Sequence, residues 1–260
     1  MAEWAKIKFL YDTMLGAPGS ALAASSTAAG DYSVDYLHNM LEVNMWKAAD
    51  AASPQYVTYD AGAGNAWTAD YLVILGHNLS AAAATVGLQY SDDNFAAHAW
   101  DAFTAFAPAS DAVVFKEFAN PGAYRHWRLV LTGAASAPCM TICAWGNATM
   151  LDYATAAFDP YDEEIKAAVN LSYSGCVAGV HARYAERSLS LRFDDADADL
   201  YGKIRQWWSV NGLGNFFVAW EGANNPADVW LMRPDARFSN PLKTGGRYRD
   251  VSVQLKGRKE

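Results

Sequence analysis

Short runs of polar and apolar residues set the rhythm of the first half of the chain. Residues 55–60 (QYVTYD) alternate and run into Ala-Gly-Ala-Gly at 61–64. Residues 71–76 (YLVILG) are apolar throughout, the pattern of a strand buried on both faces. Residues 84–90 (ATVGLQY) follow and end at the polar turn 91–94 (SDDN). Residues 112–118 (AVVFKEF) stop at Asn120-Pro121-Gly122. Residues 124–132 (YRHWRLVLT) place Trp127, Leu129 and Leu131 on one face, and 139–145 (CMTICAW) close the series. Many short strands with turn signals between them predict a sandwich or jelly roll.

The second half reads differently. Residues 149–167, with Asp159-Pro160 and the acidic run 162–164, predict a connector. Strands are expected at 168–173 and 177–184, and 187–193 (RSLSLRF) alternate cleanly. Asp194 then stands where a helix N-cap belongs. Asp195, Asp197 and Asp199 fill the first turn, where negative charge suits the helix dipole. Leu200, Ile204, Trp207 and Trp208 follow at helical spacing, and Gly212 and Gly214 end the helix. Residues 215–220, 229–233 and 248–255 return to strand pattern. The expected fold is mostly β: an N-terminal β-sandwich or jelly roll over 1–148, and a C-terminal β-sheet domain with one packed helix over 168–260. The first module has a complete strand series and the length of a single core, so it is expected to fold alone.

Composition narrows the function. Charged residues make up only 18% of the chain, and 10 Trp, 14 Tyr and 11 Phe take their place. That balance suits an ordinary β-rich core and equally a protein that buries surface against partners. The net charge of −8 argues against general nucleic-acid binding, which needs a basic face. The charge is unevenly spread: residues 233–260 hold eight bases and three acids, or +5. Such a segment can meet an acidic neighbouring subunit, or it can be a solvated strand edge guarded by Lys and Arg. No apolar run approaches the ~20 residues of a membrane span. Glu3 and Asp12 sit where a signal peptide would be basic and apolar, so none is expected. Cys139, Cys143 and Cys176 give no disulfide framework and read as free thiols.

Four segments of residues 40–148 together resemble the discoidin-like, or galactose-binding-like, jelly roll. Trp46-Lys47-Ala48 looks like that family's Trp-x-Ala. The run from Tyr56 to Gly62 resembles its strand ending in Asp-x-Gly. The run from Val86 to Asp93 resembles its strand leading to a Ser-x-Asp turn. Tyr124 to Leu129 is similar to its late arginine-rich strand. The family's terminal disulfide has no counterpart, and 60–69 holds no clear calcium set, so no cofactor or metal is expected. The second module, through residues 189–193, the helix to Trp208, 216–220 and the closing strand, resembles distal tail and baseplate proteins of tailed bacteriophages.

Catalytic signatures are absent from the sequence. It has no nucleophile elbow, phosphate loop, dinucleotide fingerprint or His-Glu-x-x-His. The five histidines show no ligand spacing, and the acidic run 194–199 lacks the Gly and Glu of a calcium loop. A structural or binding protein is therefore expected, not an enzyme. The resemblances imply a component of a phage tail tip or baseplate, made in the bacterial cytoplasm and resident in the virion. It would join a ring of its own copies and neighbouring tail proteins. The alternatives are a carbohydrate-binding protein reaching a host-surface glycan through its jelly-roll loops, and a glycan-active enzyme with two carboxylates flanking a cleft. Trp46, Trp67 and Trp100, in or beside loops, are the candidate sugar-stacking residues. Trp207 and Trp208 lie about 100° apart on the helix, so one is expected in the core and the other at a subunit contact. With Arg247, Arg249 and Lys256 they form the candidate assembly surface.

Overall fold

The computed structural model describes residues 5–259. Strands account for 43% of the chain and helices for 8%, so the molecule is mostly β. It divides into two compact units. One comprises residues 10–149 with 225–227, and the other residues 5–9, 150–224 and 228–259. Each unit therefore takes up chain from both sides of residue 149: residues 5–9 go with the later unit and residues 225–227 with the earlier one. The expected connector is also shorter than 149–167, because its last five residues are already strand.

The strands of the earlier part are Lys8–Thr13 (β1), Ala21–Ala24 (β2), Trp46–Lys47 (β3), Gln55–Asp60 (β4) and Tyr71–Leu75 (β5). They continue with Thr85–Ser91 (β6), Trp100–Asp101 (β7), Val114–Glu117 (β8), His126–Thr132 (β9), Cys139–Met140 (β10) and Ile142–Met150 (β11). Five of them form an antiparallel sheet in the order β2-β4-β9-β6-β7. Facing it are β8, β5 and β11, also antiparallel. The strand residues that alternate in sequence alternate in burial: Gln55, Val57 and Tyr59 point inward, as do Trp127, Leu129 and Leu131. The all-apolar β5 is buried at each of its five positions. Between the sheets lies one core that includes Trp46, Tyr59, Leu72, Ile74, Trp127 and Trp145. This is the expected sandwich.

The later unit contains Glu163–Leu171 (β12), Val177–Ala196 (β13), the helix Ala198–Asn211 (α1), Phe216–Ala219 (β14), Val229–Pro234 (β15), Leu242–Lys243 (β16) and Tyr248–Arg258 (β17). They build the sheet order β12-β13-β17-β15-β14, with β16 paired to β17. Two expected strands are in fact one, the 20-residue β13. The helix starts later than expected, and its N-cap is Asp197, whose side chain accepts from Leu200 N–H at 2.9 Å. Asp194 is excluded from that role because β13 keeps pairing with β17 as far as Ala196, across a register shift. Asp195 there has φ +57°, a left-handed conformation that Asp tolerates. The helix buries Leu200, Ile204 and Trp207 and ends at Gly212, as its spacing predicts.

Candidate functional site

One row of aromatic residues runs across four strands of the five-stranded sheet. Tyr59 on β4 is opposite Trp127 on β9, Trp127 is opposite Tyr90 on β6, and Tyr90 is opposite Trp100 on β7. Directly paired residues share a face of the sheet, so all four project to the same side. Their burial is graded. Tyr59 and Trp127 are fully enclosed, Tyr90 is half-buried, and Trp100 at the sheet edge is 38% exposed. The exposed end is widened by two further rings. Tyr124 lies 4.4 Å from Tyr90 and 5.7 Å from Trp100, and His98 stacks on Trp100 at 5.1 Å with planes 15° apart.

Three connections frame this end. The 61–70 loop pairs Trp67 with Tyr124 through two backbone hydrogen bonds of 2.9 and 3.0 Å. At its base Asp60 accepts two hydrogen bonds from Arg125 and one from the N–H of Gly62. Gly62 has φ +86°, and a Cβ there would lie 2.6 Å from the carbonyl oxygen of Gly19, so only glycine fits. The 92–99 loop is drawn around Asp93, which accepts from the N–H groups of Ala96, Ala97 and His98. The 118–125 segment delivers Tyr124 and Arg125. Each carboxylate is held well below its ordinary range, to about 2: Asp60 first by the Arg125 hydrogen bond, and Asp93 first by Ser91. On the opposite face of the same strands, Arg128 donates to Gln89 at 2.8 Å and Gln89 donates to Asp101 at 2.8 Å. The Arg128 guanidinium is sandwiched between Tyr56 and Phe95, at 4.4 and 4.0 Å from their ring centres.

The tryptophans singled out from sequence separate sharply. Trp100 is at the exposed end of the row. Trp67 is half-buried beside it, where its carbonyl accepts from Trp127 Nε1. Trp46 is a correction: it is fully enclosed in the sandwich core, and its Nε1 donates to the Ser26 carbonyl at 3.3 Å. It cannot stack on a ligand. Sequence reasoning missed Tyr90, Tyr124 and His98. The signal available was that residues 90 and 127 each end or enter a strand with an aromatic, but the register joining them is not written in either strand alone. It also missed that Asp92, Asp93 and His98 come together, with ligand-capable atoms within 4.8 Å of one another. His98 Nδ1 lies 3.1 Å from Asp92. Since Asp93 already serves three backbone donors, the loop's own closure accounts for this cluster.

The assembly residues are scattered over the later unit. Trp207 is core, against Phe9 and Phe216 at 5.1 and 5.3 Å. Trp208 stacks on Phe238 at 4.9 Å, with planes 10° apart, so its ring already has a partner within the chain. Arg249 donates to the Asn240 carbonyl and covers Tyr201 at 4.2 Å. Arg247 and Lys256 are exposed. Among the described residues no helix is long and apolar enough to cross a membrane.

No family model and no curated protein matches this chain. Among solved structures it is similar to a GH29 fucosidase from Ruminococcus gnavus in complex with fucose, at 12% identity and a TM-score of 0.44. That likeness covers 53% of this chain and only 27% of the fucosidase. A chitosan-binding module of a chitosanase/glucanase from Paenibacillus sp. IK-5 is similar over 52% of this chain and 98% of the module, at 12% identity and a TM-score of 0.43. A Clostridium perfringens CBM32 domain in complex with GalNAc-β-1,3-galactose is similar over 51% and 99%, at 14% identity and a TM-score of 0.42. Tail-tip and baseplate proteins are not among these.

Proposed function

We propose that this protein binds carbohydrate at the loop end of its sandwich, with Trp100, Tyr90 and Tyr124 as the stacking platform. The observation that carries this reading is the graded aromatic row, anchored in the core at Tyr59 and Trp127 and open to solvent at Trp100. An aromatic face offers sugar C–H groups an apolar surface, and a platform fixed at one end loses little entropy on binding. Trp67 flanks it, and His98 and Asp92 stand at its rim with exposed polar atoms for hydroxyl groups. The tail-tip or baseplate role rests on a strand–helix–strand pattern alone.

We propose binding rather than turnover: of the carboxylates beside the platform, Asp60 is committed to Arg125 and the Gly62 N–H, and Asp93 to the N–H groups of its own loop. The test is a glycan array probed with the full chain, followed by calorimetry on the best ligand. Trp100→Ala and Tyr124→Ala should each weaken binding at least ~10-fold, as loss of a central aromatic does, with Trp100→Ala leaving the melting temperature within a few degrees of wild type. A chain that binds no glycan, or whose affinity ignores both substitutions, would refute the proposal.

A further inference from the structure

Beyond the Glu163–Arg187 pair at its base, the hairpin of β12 and β13 carries an apolar face that nothing among the described residues covers. Four directly opposed pairs define it: Ile165 with Ala185, Ala167 with Ala182, Val169 with Val180, and Leu171 with Val177. The pairs between them put Glu164 with Glu186, Lys166 with Tyr184, Ala168 with His181 and Asn170 with Gly179 on the other face. Two register shifts, after Lys166 and after Asn170, each let β13 spend one extra residue. These are Arg183 and Ala178, so β12 keeps its alternation in step across both shifts. The result is a two-sided ribbon, apolar on one side and polar on the other.

Such a face is normally the inside of a sheet. Here it is open: Ile165 is 66% exposed, Val180 64%, Val177 63% and Leu171 60%. Beyond Ala185, β13 has left β17 and pairs only with β12. A two-stranded ribbon is at best marginal in water without something packed on it.

We infer that this face packs against the same face of a second copy of the chain, giving a two-fold dimer with the ribbons stacked front to front. Charge makes a second copy suitable. The chain is −8 overall, yet these four pairs carry no charge, and the next pair on the same side, Glu163 with Arg187, is opposite in sign and hydrogen-bonded to itself at 2.6 Å. Two copies can therefore meet here without opposing like charges. Size fits as well. Ile165, Val169, Leu171, Val177 and Val180 are each 54–66% exposed, and two such faces stacked together would bury roughly several hundred Å² per partner, the lower end of a specific interface. Small and β-branched side chains on both surfaces allow the sheet-on-sheet spacing of ~10 Å. One surface used twice also closes on itself and cannot grow into a fibre.

The test is sedimentation of the full chain under reducing conditions, so that exposed Cys176 at the turn forms no cross-link. The chain should sediment as a dimer, and molar salt should leave the dimer intact or tighten it, because the contact is apolar. Val169→Lys with Val180→Lys should yield folded monomers. The milder pair Leu171→Ala and Val177→Ala should weaken the dimer at least ~10-fold and guards against a misfolded first variant. A monomeric wild-type chain at high micromolar concentration overturns the inference. So does an oligomer that both variants leave unchanged, or one that salt dissolves.

Discussion

Arg125 grips Asp60 with two hydrogen bonds, Nε to Oδ1 at 2.6 Å and a terminal nitrogen to Oδ2 at 2.9 Å. The pair ties the end of β4 to the start of β9 beneath the aromatic platform. It holds the Asp60 carboxyl down to about 2. Because this lies below the unfolded value of ~3.9, the pair's contribution is complete above that pH and is lost as pH falls toward the folded value. Both side chains are more than a third exposed, so screening reduces the contribution to about 1 kcal/mol. Asp60→Asn should lower stability near neutrality and flatten the acid limb of a urea-unfolding profile. An acid limb identical to wild type would show that the grip contributes nothing.

Two tryptophans that look alike in sequence should behave oppositely. Trp46 is enclosed in the core and Trp100 stands at a sheet edge. Trp46→Ala should cost about 3–5 kcal/mol. Trp100→Ala should cost under about 1 kcal/mol while removing the platform. Chemical denaturation of both variants separates them.

The helix start offers a sharper test. Asp197→Ala removes the side-chain acceptor for Leu200 N–H and should destabilise the later unit by about 1 kcal/mol. Asp194→Ala should cost less than half as much, since its half-buried carboxylate serves Arg192 and Thr155 and no helix N–H. Equal losses in the two variants would mean that the cap lies elsewhere.

Thiol labelling should sort the three cysteines. Cys176 is exposed, Cys139 half-buried and Cys143 fully buried, with burial pushing the Cys143 thiol up. A neutral reagent should modify Cys176 at once, Cys139 slowly, and Cys143 only on unfolding. Rapid labelling of Cys143 in the folded chain would contradict its place in the core.

Chelation is expected to do nothing. Asp92, Asp93 and His98 meet within ligand distance, but the Asp93 oxygens already accept three backbone N–H groups. The melting temperature should be the same with a strong chelator and with added calcium. A fall of many degrees on chelation would make this loop a metal site.

Much of the sandwich was legible because its inner strands are long enough to show their period. In β4, β5 and β9 the alternation or continuity of apolar residues maps directly onto burial. The two-residue β3 and β7 have no period to read, and β7 carries Trp100, the exposed end of the platform. The platform itself depends on register: Tyr59, Trp127, Tyr90 and Trp100 come from four strands and become neighbours only once the strands are aligned. In the later unit, the acidic run 194–199 offered several carboxylates equally able to cap a helix. The choice of Asp197 was made by β13, which stays in the sheet through Ala196, and by the left-handed turn at Asp195. The extra residues at Ala178 and Arg183 broke the period of β13 and made one strand look like two.

That single strand has a mechanical meaning. Its C-terminal half places Leu189, Leu191 and Phe193 inside the sheet, while its N-terminal half forms the open ribbon. Sliding by one residue would turn those three side chains out into water, so the ribbon cannot ratchet along its own axis. Its freedom is confined to bending where the register shifts. A tug at the tip of the hairpin would load the hydrogen bonds between β13 and β17 in shear, so it would be resisted in the core and not at the hairpin itself.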